Sequence, residues 1–189
     1  MKILDEVVVN ASRDKVFSAL NDPQVLTKVI PGCESLEKIS DTEFSAVIVT
    51  KVGPIKARFN GTVELSDLVP PESYTITGQG EGGTTGFAKG AAQILLVENG
   101  NQTTMKYTVE VDVGGKLAQV GGRLLEGVAR KMSKQFFERF DSILAEDANT
   151  PQAENDQPDQ HKISTPSRWP IFLGGAAVLV VLLWVFISR

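Results

Sequence analysis

Histidine and cysteine are nearly missing from this 189-residue chain, which has one of each, His161 and Cys33. A lone cysteine closes no intrachain disulfide, so nothing in the sequence points to an oxidising compartment. A lone histidine in a polar, proline-bearing stretch excludes a histidine-based triad within the folded part and any multi-histidine metal site. There is no dense basic stripe either. Lys+Arg number 19 against Asp+Glu 23, a net charge of −4, which argues against nucleic acid as a partner. The first ten residues meet acid at Asp5 and Glu6 before an apolar core can form. That does not fit a signal peptide, and the folded part is expected to stay in the cytoplasm.

Apolar periodicity, by contrast, is plentiful: at 42% hydrophobic the chain can build one domain with a real core and have something left over. The run from Lys116 to Glu146 has no proline. Its apolar residues, Leu117, Val120, Leu124, Val128, Met132, Phe136, Phe140 and Ile143, fall three or four apart, which predicts a long helix with one buried face. Charged residues such as Arg123, Arg130, Lys134 and Glu138 fall largely between them, on a solvated side. Gly121, Gly122 and Gly127 interrupt the first half, each at a cost of about 1 kcal/mol relative to alanine. Two readings fit equally: close packing against a sheet, or a wall beside a ligand.

Ahead of that helix, Ile3 to Val9 reads as a first strand. Ser12 and Asp22-Pro23 open two short helices, and Pro31-Gly32 ends the second. From Cys33 to Val113 the period changes to two. In IKARFNGTVEL, Ile55, Ala57, Phe59, Gly61, Val63 and Leu65 face one way, and Met105 to Val113 repeats the pattern. Further strands are expected over Glu43–Lys51, Ser73–Gly80 and Thr85–Val97, with Asn99-Gly100 as a hairpin turn. The total is a strand, two helices, about six more strands and the long helix. Ala57, Gly61, Gly78, Ala88, Gly90 and Ala92 are small residues at inward positions. Opposite a helix that also carries glycines, they mean close approach or an unfilled apolar cavity.

After Glu146 the composition turns polar, with Pro151, Pro158 and Pro166 and no apolar periodicity, as in a disordered linker. Its roughly twenty residues have an r.m.s. span of about 25 Å, and on the order of 70 Å drawn straight. Trp169 to Ile187, WPIFLGGAAVLVVLLWVFI, holds no charge, and at about 19 residues it is long enough to cross a ~30 Å hydrocarbon core. Trp169 and Trp184 stand near its ends as interfacial aromatics do. The expected division is a folded domain over 1–146, a linker over 147–168 and a single-pass C-terminal anchor over 169–187. The anchor would sit in the plasma (inner) membrane with the domain on its cytoplasmic side.

The order strand, two helices, sheet, long helix resembles the helix-grip fold of the START/Bet v 1-like (SRPBCC) superfamily. That α+β fold wraps a curved antiparallel sheet around a long C-terminal helix. Four segments narrow the resemblance: DPQVLTKVIPGCESLE (Asp22 to Glu37), VGPIKARFNGTVEL (Val52 to Leu65), GEGGTTGFAKGAAQI (Gly80 to Ile94) and VGGKLAQVGGRLLEGVARKMSKQFFERF (Val113 to Phe140). Together they resemble the CoxG family, named for the G subunit of carbon monoxide dehydrogenase, over essentially all of residues 1–146, linker excluded. Some members of that family have a membrane-anchoring tail. The resemblance implies association with an aerobic molybdenum-containing CO dehydrogenase, or a related enzyme, and its recruitment to the membrane. Likeness to the superfamily implies a hydrophobic ligand held between sheet and helix. Joined to the sequence, these give a membrane-anchored carrier of an isoprenoid quinone, menaquinone or ubiquinone, with no covalently bound cofactor, no metal and no catalytic residues. The competing classes are a static tether, which would have a filled core, and a cyclase- or hydrolase-like enzyme, which needs a buried ionisable constellation.

The expected ligand walls are Phe17, Phe59, Gly61, Phe87, Gly90 and Ala92 on the side of the first helix and the sheet. On the long-helix side they are Leu117, Val120, Gly121, Leu124, Leu125 and Val128. Phe87 reads equally as a gate at the pocket mouth or a core side chain. Cys33, with no histidine near, reads as a small buried hydrophobe. The Gly80–Gly90 segment lacks the spacing of a phosphate loop. Glu34 and Glu37 read as solvated, and Arg123 as a surface charge.

Overall fold

The computed structural model describes residues 2–149, with side chains as far as Glu146. The first three residues of the linker expected over 147–168 are helical; its remainder and the apolar run over 169–187 lie outside the described residues. Among the described residues, no helix is long and apolar enough to cross a membrane.

Strand β1 (Lys2–Val9) leads into two short helices, α1 (Arg13–Ala19) and α2 (Pro23–Val29). Ser12 occupies the cap position of α1 without a side-chain cap bond. Asp22 caps α2 by accepting the amide of Gln24 at 2.8 Å, with Pro23 in the first turn where its missing N–H costs nothing. Six strands follow: β2 (Cys33–Lys38), β3 (Glu43–Val52), β4 (Ile55–Val69), β5 (Ser73–Glu81), β6 (Phe87–Asn99) and β7 (Gln102–Gly114). They form one antiparallel sheet in the order β1-β7-β6-β5-β4-β3-β2, each pairing with its successor while β1 joins β7. Alternation decides the faces. Along β4, Ala57, Phe59, Val63 and Leu65 are buried while Lys56, Arg58, Asn60, Thr62 and Glu64 are exposed. The strand expected from Thr85 begins at Phe87, because Gly83–Thr85 close a short 3-10 turn.

The long helix differs more from expectation. Leu117–Val120 form a separate 3-10 turn, Gly121 breaks the chain at φ +86°, and helix α3 runs over Gly122–Asn149. A residue with a β-carbon is disfavoured at that φ, so Gly121 serves the break and is no part of a helical wall. The break also resets the helical phase. The buried stripe of α3 is Leu125, Ala129, Met132, Phe136, Phe140 and Leu144, and Leu124 is left 42% exposed.

Helix α3 crosses the sheet from end to end. Leu124 lies against the β3–β4 turn, where a Cβ on Gly53 would come within 2.7 Å of its Cδ2. Thr50 Oγ1 then meets Met132 Sδ at 3.5 Å, and Phe137 stacks on Tyr107 of β7 at 6.3 Å between ring centroids. Near the far end, Lys15 Nζ of α1 donates to the Leu144 carbonyl at 2.7 Å. Phe136 and Phe140, stacked at 5.6 Å and fully buried, fill the core at that end with Tyr74 and Phe44.

Candidate ligand-binding site

Strand register turns isolated small residues into a continuous strip. On the inner face Ala46 pairs with Gly61, Gly61 with Gly80, and Gly80 with Ala88, one row across four strands. In the next row Gly78 pairs with Gly90, and beyond it Ile76 pairs with Ala92. Side chains on a pleated sheet normally stand toward the covering layer, so a strip without them leaves that wall low. Ala57, Ala88 and Ala92 are buried. Ala46 and Gly80 were not anticipated, because neither carries a hydrophobic period and only register reveals them.

In β5 and β6 the strip lies next to the end of the sheet where the β3–β4 turn, the β5–β6 loop and the β7–α3 connection meet. Phe59 reaches that end: a Cβ on Gly82 in the β5–β6 loop would collide with its ring. Gly86 has φ +129°, and a Cβ there would run into the Gly114 carbonyl oxygen, so the β5–β6 loop and the end of β7 are in backbone contact. Phe87 lays its ring over Gly114 and is 45% exposed; it is a side chain of the loop end and not of the core.

Of the twelve expected wall residues, Phe59, Ala92, Leu117 and Leu125 are buried, and Phe17, Gly61, Gly90, Val120 and Val128 are half-buried. Phe17 meets Tyr74 edge-on at 5.8 Å. Gly121, Leu124 and Phe87 are exposed and do not line the interior. A Cβ on Gly121 or Gly127 would meet nothing within 4 Å. Neither close packing nor a ligand wall therefore accounts for those two glycines. The inner face of α3 at this end is made by Leu125 and Ala129 instead.

Two tyrosines bring hydroxyls into the core: Tyr107 lies on the inward period of β7, while no local sequence pattern points to Tyr74. The Tyr74 hydroxyl is buried and finds no hydrogen-bond partner among the described residues. The Tyr107 hydroxyl donates to Asp5 Oδ2 at 3.2 Å and also bonds Ser133. Burial pushes Tyr107 up to about 12 and raises Tyr74 well above its ordinary range. The folded state therefore keeps phenolic protons that the unfolded chain releases near pH 10. Their stabilising contribution is complete below about pH 10 and is lost as pH rises through about 12. Thermal unfolding followed by circular dichroism should show the wild-type midpoint falling more steeply over that interval than the midpoint of Tyr74→Phe/Tyr107→Phe.

Beside Tyr107, β1 and α3 enclose a groove of about 490 Å³ lined by Asp5, Arg130, Ser133, Phe137 and Asp141. Burial raises the Asp141 carboxyl, opposed by a hydrogen bond from the Asn10 backbone. A larger open hollow of about 1130 Å³ lies on the outer face of the sheet, among polar side chains such as Thr62, Gln79, Lys89 and Asp112. No group of three or more His, Cys, Asp or Glu among the described residues could hold a metal ion. Cys33 is half-buried, its Sγ 3.4 Å from the Ser35 carbonyl, and burial pushes the thiol up, away from the reactive thiolate. Glu34 is tied to Arg58 Nε at 2.7 Å, while Glu37 and Arg123 are exposed.

Known structures share this architecture. A conserved protein from Geobacillus kaustophilus is 32% identical, with a TM-score of 0.73, over 77% of this chain and 96% of its own. Nearly all of that crystallised chain lies within the match, so in that protein a domain of this extent folds by itself. A START superfamily protein from Mycobacterium smegmatis, at 12% identity, matches with a TM-score of 0.59 over 77% of this chain and 97% of its own. A Streptomyces aromatase/cyclase, also at 12%, matches with a TM-score of 0.60 over 79% and 96%. At such identities the likeness is one of fold, the curved sheet and C-terminal helix of START-like proteins. No functionally curated protein matches the sequence. The family model for CoxG, the G subunit of carbon monoxide dehydrogenase, matches residues 6–145, from β1 through nearly all of α3, and the chain belongs to that family.

Proposed function

We propose that this protein binds an isoprenoid quinone and carries it between the membrane and a molybdenum-containing CO dehydrogenase or a related enzyme. Membership of the CoxG family supports the association with a CO dehydrogenase in an accessory role. The observation that carries the ligand reading is the strip Ala46–Gly61–Gly80–Ala88, a low apolar wall that in β5 and β6 lies next to the loop end. An isoprenoid chain suits such a wall, since each buried methylene contributes about 0.8 kcal/mol and needs no polar partner. A lipid tail is itself apolar, so transfer from bilayer to protein is close to balanced. Residues 169–187 would hold the carrier in the plasma membrane with the domain on the cytoplasmic side.

The test is mass spectrometry of organic extracts from purified wild type and Ala92→Leu. Ala92 is 1% exposed on the inner face, beside the strip. Wild type should yield a quinone. Ala92→Leu should yield little of it while keeping its stability, because leucine takes up volume that the cargo held. In a core without room for cargo the same change costs about 1–3 kcal/mol through overpacking. Loss of stability with no quinone in either extract would leave a tether that recruits the enzyme without a ligand.

A further inference from the structure

The loop end of the domain, we propose, is a docking face for an anionic lipid bilayer. Lys51 and Lys56 face each other across the base of the β3–β4 turn, Lys116 follows Gly115, and Arg123 precedes Leu124 at the start of α3. All four are exposed, and none forms an ion pair among the described residues. Nearby cations behave differently: Arg58, Lys89 and Arg130 are each held by a carboxylate, of Glu34, Asp112 and Glu126. Glu81, at the end of β5, is an opposing acid at this rim. Two apolar side chains at the same end, Phe87 and Leu124, are exposed as well. Apolar tips alongside uncompensated positive charge match a bilayer surface, where anionic headgroups lie just above hydrocarbon.

The opposite end also exposes apolar side chains, Ile39 and Val69, but its charge is reversed. Its turns carry Asp41, Glu43, Asp67, Glu72 and Glu98, and its cations Lys38 and Arg13 are already paired with Asp41, Glu72 and Glu98. A chain with net charge −4 should be repelled by an anionic leaflet, and this separation favours approach by the loop end over the opposite end. Docking this way gives the carrier reading, on which it rests for its purpose, an orientation for cargo entry. The test uses cargo-free protein, so failure of one reading is separable from failure of the other.

A fragment ending at Asn149 contains no tryptophan, since both of the chain's lie at 169 and 184. It would be mixed with vesicles of phosphatidylcholine, with or without about one third phosphatidylglycerol. We expect binding that requires phosphatidylglycerol and weakens with salt. The combined change Lys51→Gln, Lys56→Gln, Lys116→Gln and Arg123→Gln should weaken it by about a hundredfold or more. An equal change of charge elsewhere, at Lys28, Lys106, Lys131 and Arg139, should weaken it far less. Tryptophan emission from Phe87→Trp should shift to the blue on anionic vesicles, and emission from Ile39→Trp at the opposite end should not. Equal loss in the two charge variants, equal shifts from the two reporters, or no phosphatidylglycerol-dependent binding would each overturn the proposal.

Discussion

Ending the chain at Asn149 is expected to leave quinone binding unchanged and yet to cut electron transfer from the dehydrogenase to membrane quinone. At nanomolar protein the reduction should be about a hundredfold or more, because a tethered domain meets the membrane at an effective concentration near millimolar. Raising the concentration of the fragment should restore the rate, as it would not if the fragment were damaged. A second variant, keeping residues 166–189 but lacking 150–165, separates carrier from tether. It should fractionate with membranes and still fail to couple, because the loop end, about 40 Å from the point where the chain leaves the domain, could not reach the bilayer. Full activity from that variant would favour a static tether. The measurement is quinone reduction in membranes supplied with the partner dehydrogenase and each form of the protein.

The second large effect is on stability, and it is a contrast between two glycines. Gly86 combines φ +129° with the Gly114 carbonyl oxygen where a Cβ would stand. Gly86→Ala must therefore move the β5–β6 loop away from the end of β7, at a cost of about 3 kcal/mol or more. Gly127 is helical, exposed and has open space where its Cβ would be, so Gly127→Ala should raise stability by about 1 kcal/mol. Urea unfolding of both variants against wild type gives the two free energies directly. A destabilising Gly127→Ala would restore the reading in which that glycine admits a close neighbour.

Those glycines also mark where the sequence was legible and where it was not. Period two along β4 and β7, and Asn99-Gly100 between β6 and β7, were enough for the number of strands and for which face of each is buried. The break at Gly121 was hidden. Leu117 and Val120 continue the three-and-four spacing through a 3-10 turn, and a phase extrapolated from them puts Leu124 inward along with Leu125, which alone is buried. The small-residue strip was half visible. Gly61, Ala88 and Gly90 could be placed inward from their neighbours on the same strand. That Ala46, Gly61, Gly80 and Ala88 form one row is a property of register across strands, to which no local pattern responds. The unpartnered hydroxyl of Tyr74 was invisible for a similar reason, since which groups surround a side chain is settled only by tertiary packing.

The direction of α3 has a mechanical consequence. Its first turn sits at the basic loop end and its last turns at α1, so the chain leaves the domain at the end farthest from the loops. At 1.5 Å per residue, 28 residues separate the two by about 40 Å. On the carrier reading proposed above, a leash formed by residues 150–168 would reach on the order of 65 Å when taut, against a relaxed span near 24 Å. On that reading a domain with its loops on the bilayer would draw the leash beyond its resting length, while one that had turned over would let it slacken. The leash would then act as a weak entropic spring opposing the docked pose, and its length would set how long each visit to the membrane lasts.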